Sequence, residues 1–269
     1  MAAFLLGLPT DRNSSYLTGP AKAPAAVRAL MREDMMEMTS SAGVKITDPE
    51  VLHDLGDVAL DGSEGEHELI CQFSRQAFQR GPTLLLGGDH SITYPILKGY
   101  VGSGRAAPHL VVIDAHPDLY PEYNGNPLSH ACPFARIMEE KLAASLIQVG
   151  IRASNPLLVA QTERFGVRAF GPEELAAARQ ALPHGEVYIS FDLDGLDPAF
   201  APGVSHHEPG GLTTRESLAL IEAIPGRVMG ADLVEYNPDR DVSRMTAAVA
   251  VKLLKELVAR LHRDSHIGA

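Results

Sequence analysis

A three-layer α/β/α sandwich around a mostly parallel central sheet is the fold class this sequence predicts. Two observations carry it. Short apolar strands alternate with helical patterns from end to end. Acids and histidines collect where several of those strands end, which is where ligands bind in open parallel sheets. At 269 residues the chain has the length of one large α/β domain. No boundary divides it, so residues 1–269 are expected to form a single domain.

The first strand falls at residues 4–8, and a loop with Asn13-Ser14-Ser15 and Gly19-Pro20 leads into a helix starting near Pro24, a favoured first-turn residue. A second strand, 51–55, closes at Gly56-Asp57. A helix over 66–79 and a strand over 83–86 follow, the latter running into Gly87-Gly88-Asp89-His90-Ser91. The apolar run 109–113 reads as a buried parallel strand and passes directly into Asp114-Ala115-His116-Pro117-Asp118. A polar loop over 119–129 precedes a helix from about 130 to 141.

The strand at 146–150 is followed by Asn155-Pro156, a cap and first residue for the next helix. The strand at 167–170 leads to Gly171-Pro172-Glu173-Glu174, a helix start with acids in its first turn. The strand at 186–191 ends in Asp192-Leu193-Asp194-Gly195-Leu196-Asp197-Pro198, and Thr213-Thr214-Arg215-Glu216 has the spacing of a capping box. A strand at 227–234 ends at Glu235. The closing helix, about 244–261, places Ala250, Leu253, Leu254, Leu257, Val258 and Leu261 on one core-facing stripe.

Composition narrows the function classes. With 45% hydrophobic and 21% charged residues the chain is of the soluble globular type, and no apolar run approaches the length of a membrane span. The first eight residues lack a basic segment and stop at Pro9, so they read as a strand rather than a targeting peptide. Thirty-four acidic against 23 basic residues give a net charge of −11, which argues against nucleic-acid and membrane partners and suits a cationic ligand. Cys71 and Cys132 lie far apart with no CxxC spacing, pointing to a reducing compartment, the cytoplasm.

If the chain stays extended beyond 113, residues 114, 116 and 118 point the same way. The same spacing would put Asp192 and Asp194 on one face. Crowded carboxylates resist desolvation and call for protons, bases or cations. Alone, the 114–118 segment reads equally well as a polar loop; agreement with the other strand ends favours metal. Together with His90 these segments offer four Asp and two His, enough for two divalent cations sharing carboxylates around an activated water. Oxygen-rich ligation with two imidazoles suits Mn²⁺. Asp197 reads as the residue that orders its Asp-Pro turn, and Glu216 as the capping-box acid.

These segments, with Gly210-Gly211-Leu212-Thr213 and Val234-Glu235-Tyr236-Asn237-Pro238, resemble the ureohydrolases, the dinuclear manganese family that includes arginase and agmatinase. Asn13-Ser14-Ser15, Ser129-His130-Ala131 and Ala201-Pro202-Gly203-Val204-Ser205-His206 are similar to the plant-type arginases. The resemblance implies an arginase-like fold and one metal on His90, Asp114, Asp118 and Asp192. It implies a second on His116, Asp114, Asp192 and Asp194. Asp118 would steer the proton, Glu235 hold the guanidinium, and His130 shuttle protons. Asn124, Asn126, Ser129 and His206 are the expected substrate contacts, and a homo-oligomer, trimer or hexamer, is implied as well.

L-arginine is the leading substrate by this resemblance. Agmatine and ω-guanidino acids are alternatives, because the loop after Gly150-Ile151-Arg152 carries no acid before Glu163 to meet an α-amino group. A dinuclear phosphoesterase would want basic residues around phosphate. A non-catalytic metal-binding protein would be expected to lack Asp118 or Glu235, and both are present.

Overall fold

The computed structural model describes residues 1–266; residues 267–269 of the expected domain lie outside them. Eight strands form one sheet: β1 (Ala3–Leu8), β2 (Leu52–Asp57), β3 (Thr83–Gly87), β4 (His109–Ile113), β5 (Ser145–Val149), β6 (Arg168–Phe170), β7 (Glu186–Asp192) and β8 (Arg227–Val234). Their order is β2-β1-β3-β8-β7-β4-β5-β6. Every pairing is parallel, so the sheet goes beyond the mostly parallel one expected.

The helices are α1 (Ala23–Met31), α2 (Glu66–Arg80), α3 (Thr93–Gly102), α4 (Pro133–Glu139), α5 (Pro156–Phe165), α6 (Leu175–Ala181), α7 (Thr214–Ala223) and α8 (Met245–Asp264). Side chains alternate across the sheet and feed two cores. Leu84, Val111, Ile189 and Ala231 meet α1, α6, α7 and α8 on one face. Leu85, Leu110, Val112 and Tyr188 meet α2, α3, α4 and α5 on the other. The result is the three-layer sandwich. Strands covered on both faces need continuous apolar runs, and β3 and β4 are such runs. β2 lies at an edge and exposes His53, Asp54 and Asp57; Arg28 of α1 ties it down, with Nε 2.8 Å from Asp54 Oδ2 and a further bond to Asp57.

Several boundaries follow from named residues. Asn155 caps α5 by accepting from Leu158 N at 3.0 Å. The Thr213–Glu216 box forms in both directions, at 3.1 and 2.8 Å. The helix expected over 130–141 is shorter: Pro133 opens α4, and His130 stays in the preceding loop, its N–H donating to Asn13 O at 3.1 Å. The sequence predicts no helix at 93–102, where α3 forms. Pro95 falls in the first turn of α3, where its missing N–H does no harm. Gly99 lets α3 approach α2; a Cβ there would stand 2.5 Å from Cys71 O.

Topology positions the site. β3 and β4 are consecutive in the chain, yet β8 and β7 lie between them. The chain therefore crosses the sheet at this point, the arrangement that opens a crevice at the carboxyl ends of the strands. No helix among the described residues is long and apolar enough to cross a membrane.

The α8 stripe anchors one core layer, with Leu253, Leu254, Leu257 and Leu261 fully buried. Leu254→Ala is expected to lower unfolding free energy by about 2–5 kcal/mol. Val242→Ala, at a position 99% exposed, should shift it by less than about 0.5 kcal/mol. Chemical denaturation of the two variants checks this, and equal effects would contradict the assignment.

Candidate metal centre

Four adjacent strands deliver the candidate ligands. β3 runs through Gly87-Gly88 to Asp89, which caps a short 3-10 turn at His90–Ile92 by accepting from Ser91 N at 3.0 Å. That turn aims the fully buried His90 inward. Its Nδ1 lies 3.2 Å from Asp114 Oδ2, 3.3 Å from Asp118 Oδ2 and 3.1 Å from Asp192 Oδ2. With Nδ1 facing carboxylates, Nε2 is the donor to Ser190 Oγ at 2.9 Å. Ser190 donates onward to the buried Asp232 at 2.7 Å, which fixes the ring.

A second group stands beside the first. His116 Nδ1 is 3.1 Å from Asp194 Oδ2 and 3.6 Å from Asp114 Oδ1. His90, Asp114 and Asp192 form one set of converging ligand atoms, and Asp114, His116 and Asp194 form another, each within 4.8 Å. Asp114 belongs to both.

The convergence does not come from extended chain, as expected from the spacing of two. Asp118 sits at φ 47, in the left-handed region. Asp192 caps a 3-10 turn, Leu193–Gly195, by accepting from Asp194 N at 2.7 Å, so Asp194 arrives by a turn. Gly195 is required there, since a Cβ would stand 2.8 Å from Asp114 N. Asp194 Oδ1 in turn accepts from Ala115 N at 3.2 Å. Short polar turns, not strand periodicity, bring these carboxylates together.

Electrostatics show what the cluster lacks. Burial, then Asp194 and Asp114, push Asp192 well above the usual carboxylate range. Burial and then Asp114 push Asp118 up to about 6. For His90, burial favours the neutral ring, but Asp114, Asp118 and Asp192 outweigh it and raise its pKa. The buried His90 Nδ1 and Asp114 Oδ2 have no hydrogen-bond partner among the described residues. A cation between them satisfies both atoms and neutralises their neighbours, so the donor set fits divalent metal.

Beside the cluster lies a buried imidazole–carboxylate pair. Glu235, at φ 64, accepts at Oε1 from His90 N (2.9 Å) and from His130 Nδ1 (2.7 Å). Burial opposes charge on both partners. Glu235 nevertheless raises His130 to about 9, and His130 lowers Glu235. His130 Nε2 meets Ser15, whose Oγ is 2.7 Å away. Buried Asp89 pins that loop by accepting from Asn13 N (3.0 Å) and Ser14 Oγ (3.3 Å).

A cavity of about 290 Å³ opens above these groups. Its floor includes His116, Asp118, Asp192, Asp194, His130 and Glu235, and its walls include Ser15, Tyr120, Tyr123, Asn155, His206 and Glu208. His206 is thus placed at the cavity as expected, its ring centroid 5.4 Å from that of His130. Asn124, Asn126 and Ser129 are not. They line a neighbouring recess with Arg12 and Asn13; Asn126 donates to Asn13 Oδ1 at 3.0 Å, and Ser129 Oγ accepts from Ala131 N at 3.3 Å. Glu163 does not line the cavity either. Glu208 brings a carboxylate from the 199–211 loop instead. Its signal in the sequence is its place in Glu208-Pro209-Gly210-Gly211, two residues after His206 and within the plant-type arginase resemblance.

Arg152 and Asp197 hold that loop. Arg152 donates to the carbonyls of Glu208, Asp194 and Leu196 at 2.6, 2.6 and 3.2 Å. Asp197 accepts from Ala199, Gly210 and Gly211 N–H groups, the turn-ordering role expected of it.

An all-parallel α/β sandwich whose switch point carries two Asp–His groups able to hold metal ions fits a class, the metal-dependent hydrolases. The chain belongs to the arginase family, whose model matches residues 1–259. It is 41% identical to "Arginase 1, mitochondrial" of Oryza sativa subsp. indica over 97% of this chain and 82% of that protein. It is 36% identical to "Agmatinase, mitochondrial" of Gallus gallus over 97% of this chain and 81% of that protein. The solved structure of arginase from Medicago truncatula superposes with a TM-score of 0.91 at 38% identity, covering 97% of this chain and 87% of that one.

Cation binding to the folded state alone should raise stability by about 2.7 kcal/mol at a hundredfold excess over Kd. Thermal unfolding with added Mn²⁺ is expected to show this as a rise in Tm, and Asp192→Asn is expected to remove most of it. An equal rise in the variant would contradict the ligand set.

Proposed function

We propose that the protein hydrolyses a guanidino compound to urea and an amine, with L-arginine giving L-ornithine as its reaction. The observation that supports this most directly is the placing of two imidazole–carboxylate groups beside the Glu235–His130 pair. The cavity they share has five acidic lining residues and no lysine or arginine. Such a cavity favours a cation and disfavours phosphate, which sets the phosphoesterase reading aside.

In this reading His90, Asp114, Asp118 and Asp192 hold one Mn²⁺, and His116, Asp114, Asp192 and Asp194 hold a second, two per subunit. Bound there, divalent cations make water acidic enough to attack near neutral pH. Glu235 orients the guanidinium through charge-assisted hydrogen bonds. Its Oε1 is already committed to His90 and His130, which fixes the carboxylate plane. Asp118 takes the proton of the attacking water and passes it to the nitrogen that leaves as the amine. His130, held protonated at pH 7 by a value of about 9, supplies protons from the solvent side and relays them through Ser15.

Residues 1–269 act as one catalytic domain, and a homo-oligomer, a trimer or hexamer, is part of the same reading by resemblance. A cytoplasmic location agrees with two cysteines that remain free thiols. The mitochondrial location in the names of the rice and chicken proteins is that of those relatives.

Urea release by Mn²⁺-loaded protein from arginine, agmatine, 4-guanidinobutyrate and guanidine tests the reaction; arginine is expected to be turned over best, and silence across the panel would sink the proposal. Asp118→Asn should lower kcat by at least about 10²-fold while bound metal is largely retained. Retained turnover in that variant would overturn the role of Asp118.

A further inference from the structure

Apart from the floor of aspartates and Glu235, the cavity holds one other carboxylate, Glu208. It stands on the outer side of His116: Glu208 Oε1 is 3.7 Å from His116 Nε2, while His116 Nδ1 faces Asp194. Glu208 therefore lies one imidazole ring above the floor. Glu235 and Glu208 line the same cavity, so a substrate whose guanidinium is held at Glu235 extends its aliphatic chain into the space that Glu208 also faces.

Glu208 is also a built part of the wall. Both Nε and an Nη of Arg152 donate to its carbonyl, at 2.8 and 2.6 Å. The next residues are held by Asp197, whose Oδ2 accepts from Gly210 N at 2.6 Å and Gly211 N at 3.0 Å. The side chain is 40% exposed and its ion pair with His116 is a loose one, so its carboxylate remains presented to a ligand. At 3.7 Å its approach to His116 is longer than a hydrogen bond.

The rest of the upper wall is neutral. Ser15, Ser154, Asn155, Tyr120 and Tyr123 offer hydroxyls and an amide. On that upper wall an anionic group finds no lysine or arginine, whereas an ammonium finds Glu208. We infer that Glu208 is the specificity-determining residue of the cavity, binding the distal ammonium of an amino-guanidino substrate. It supplies the charge that the 153–158 loop lacks. The inference rests on the proposed hydrolysis of guanidino compounds. It adds that compounds with a distal amine, arginine and agmatine, are preferred over ω-guanidino acids.

The test compares wild type, Glu208→Gln and Glu208→Asp on arginine and agmatine, with 4-guanidinobutyrate as substrate or competing inhibitor, and bound metal measured alongside. Glu208→Gln is expected to raise KM for arginine and agmatine by about 10- to 100-fold, with kcat and metal content within about threefold. Guanidinobutyrate should bind the variant as well as wild type or better, and Glu208→Asp should recover part of the affinity. Unchanged KM for the two amines would overturn the assignment. A fall in kcat common to all compounds, with metal lost, would overturn it too, because Glu208 would then serve only to hold His116. Wild-type preference for guanidinobutyrate would also contradict it. Wild type silent on every guanidino compound would overturn the proposed hydrolysis itself, and this assignment with it.

Discussion

The structure depends on one electrostatic problem: Asp114, Asp118, Asp192 and Asp194 converge with His90 and His116 in a buried site. Carboxylates so placed repel one another and resist leaving water. Around the cluster the chain has prepared for ionised ligands. Backbone N–H groups of His116, Asp194 and Ala115 point at carboxylate oxygens, and the Ser190–Asp232 relay behind His90 leaves its Nδ1 free for the centre. Within the cluster, the buried atoms left unpaired among the described residues are His90 Nδ1 and Asp114 Oδ2, which face each other where a cation has the most to neutralise.

The sheet makes that crowding geometrically possible. Because β3, β8, β7 and β4 are neighbours, ligands from residue 90 to residue 235 meet without long loops. The backbone absorbs the remaining strain, with Asp118 and Glu235 both in the left-handed region. Non-glycine residues there cost about 1–3 kcal/mol each and persist where their surroundings over-determine them. Here Glu235 is fixed by His90 N and His130, and Asp118 by its ligand neighbours. The two cores above and below, closed by α8 on one side and α2 and α3 on the other, give the site a rigid base.

Much of this was legible in the sequence, and the rest failed for identifiable reasons. Central strands are covered on both faces, so runs such as 83–86 and 109–113 announce themselves by apolarity alone. Caps at Asn155 and Thr213 are local chemistry and could be read locally. The residues of the cluster were legible because an acid or histidine just past a parallel strand is an unusual thing to bury. How they converge was not legible: the 3-10 turns and the positive φ at Asp118 depend on backbone contacts between segments far apart in sequence. The sequence reading left α3 unassigned, and its Gly99 is explained only by the close approach to α2. The substrate wall was hardest to read. Asn124, Asn126 and Ser129 lie near the site in sequence yet turn into a separate recess, while Glu208 comes from a loop fixed by Arg152 and Asp197.

Central to the proposed function are two cations that would share Asp114 and Asp192. Electron paramagnetic resonance of protein reconstituted with two equivalents of Mn²⁺ tests that sharing most directly. An exchange-coupled spectrum, converted to that of isolated ions by Asp192→Asn, is the predicted result. A wild-type spectrum showing only magnetically isolated Mn²⁺ would contradict it.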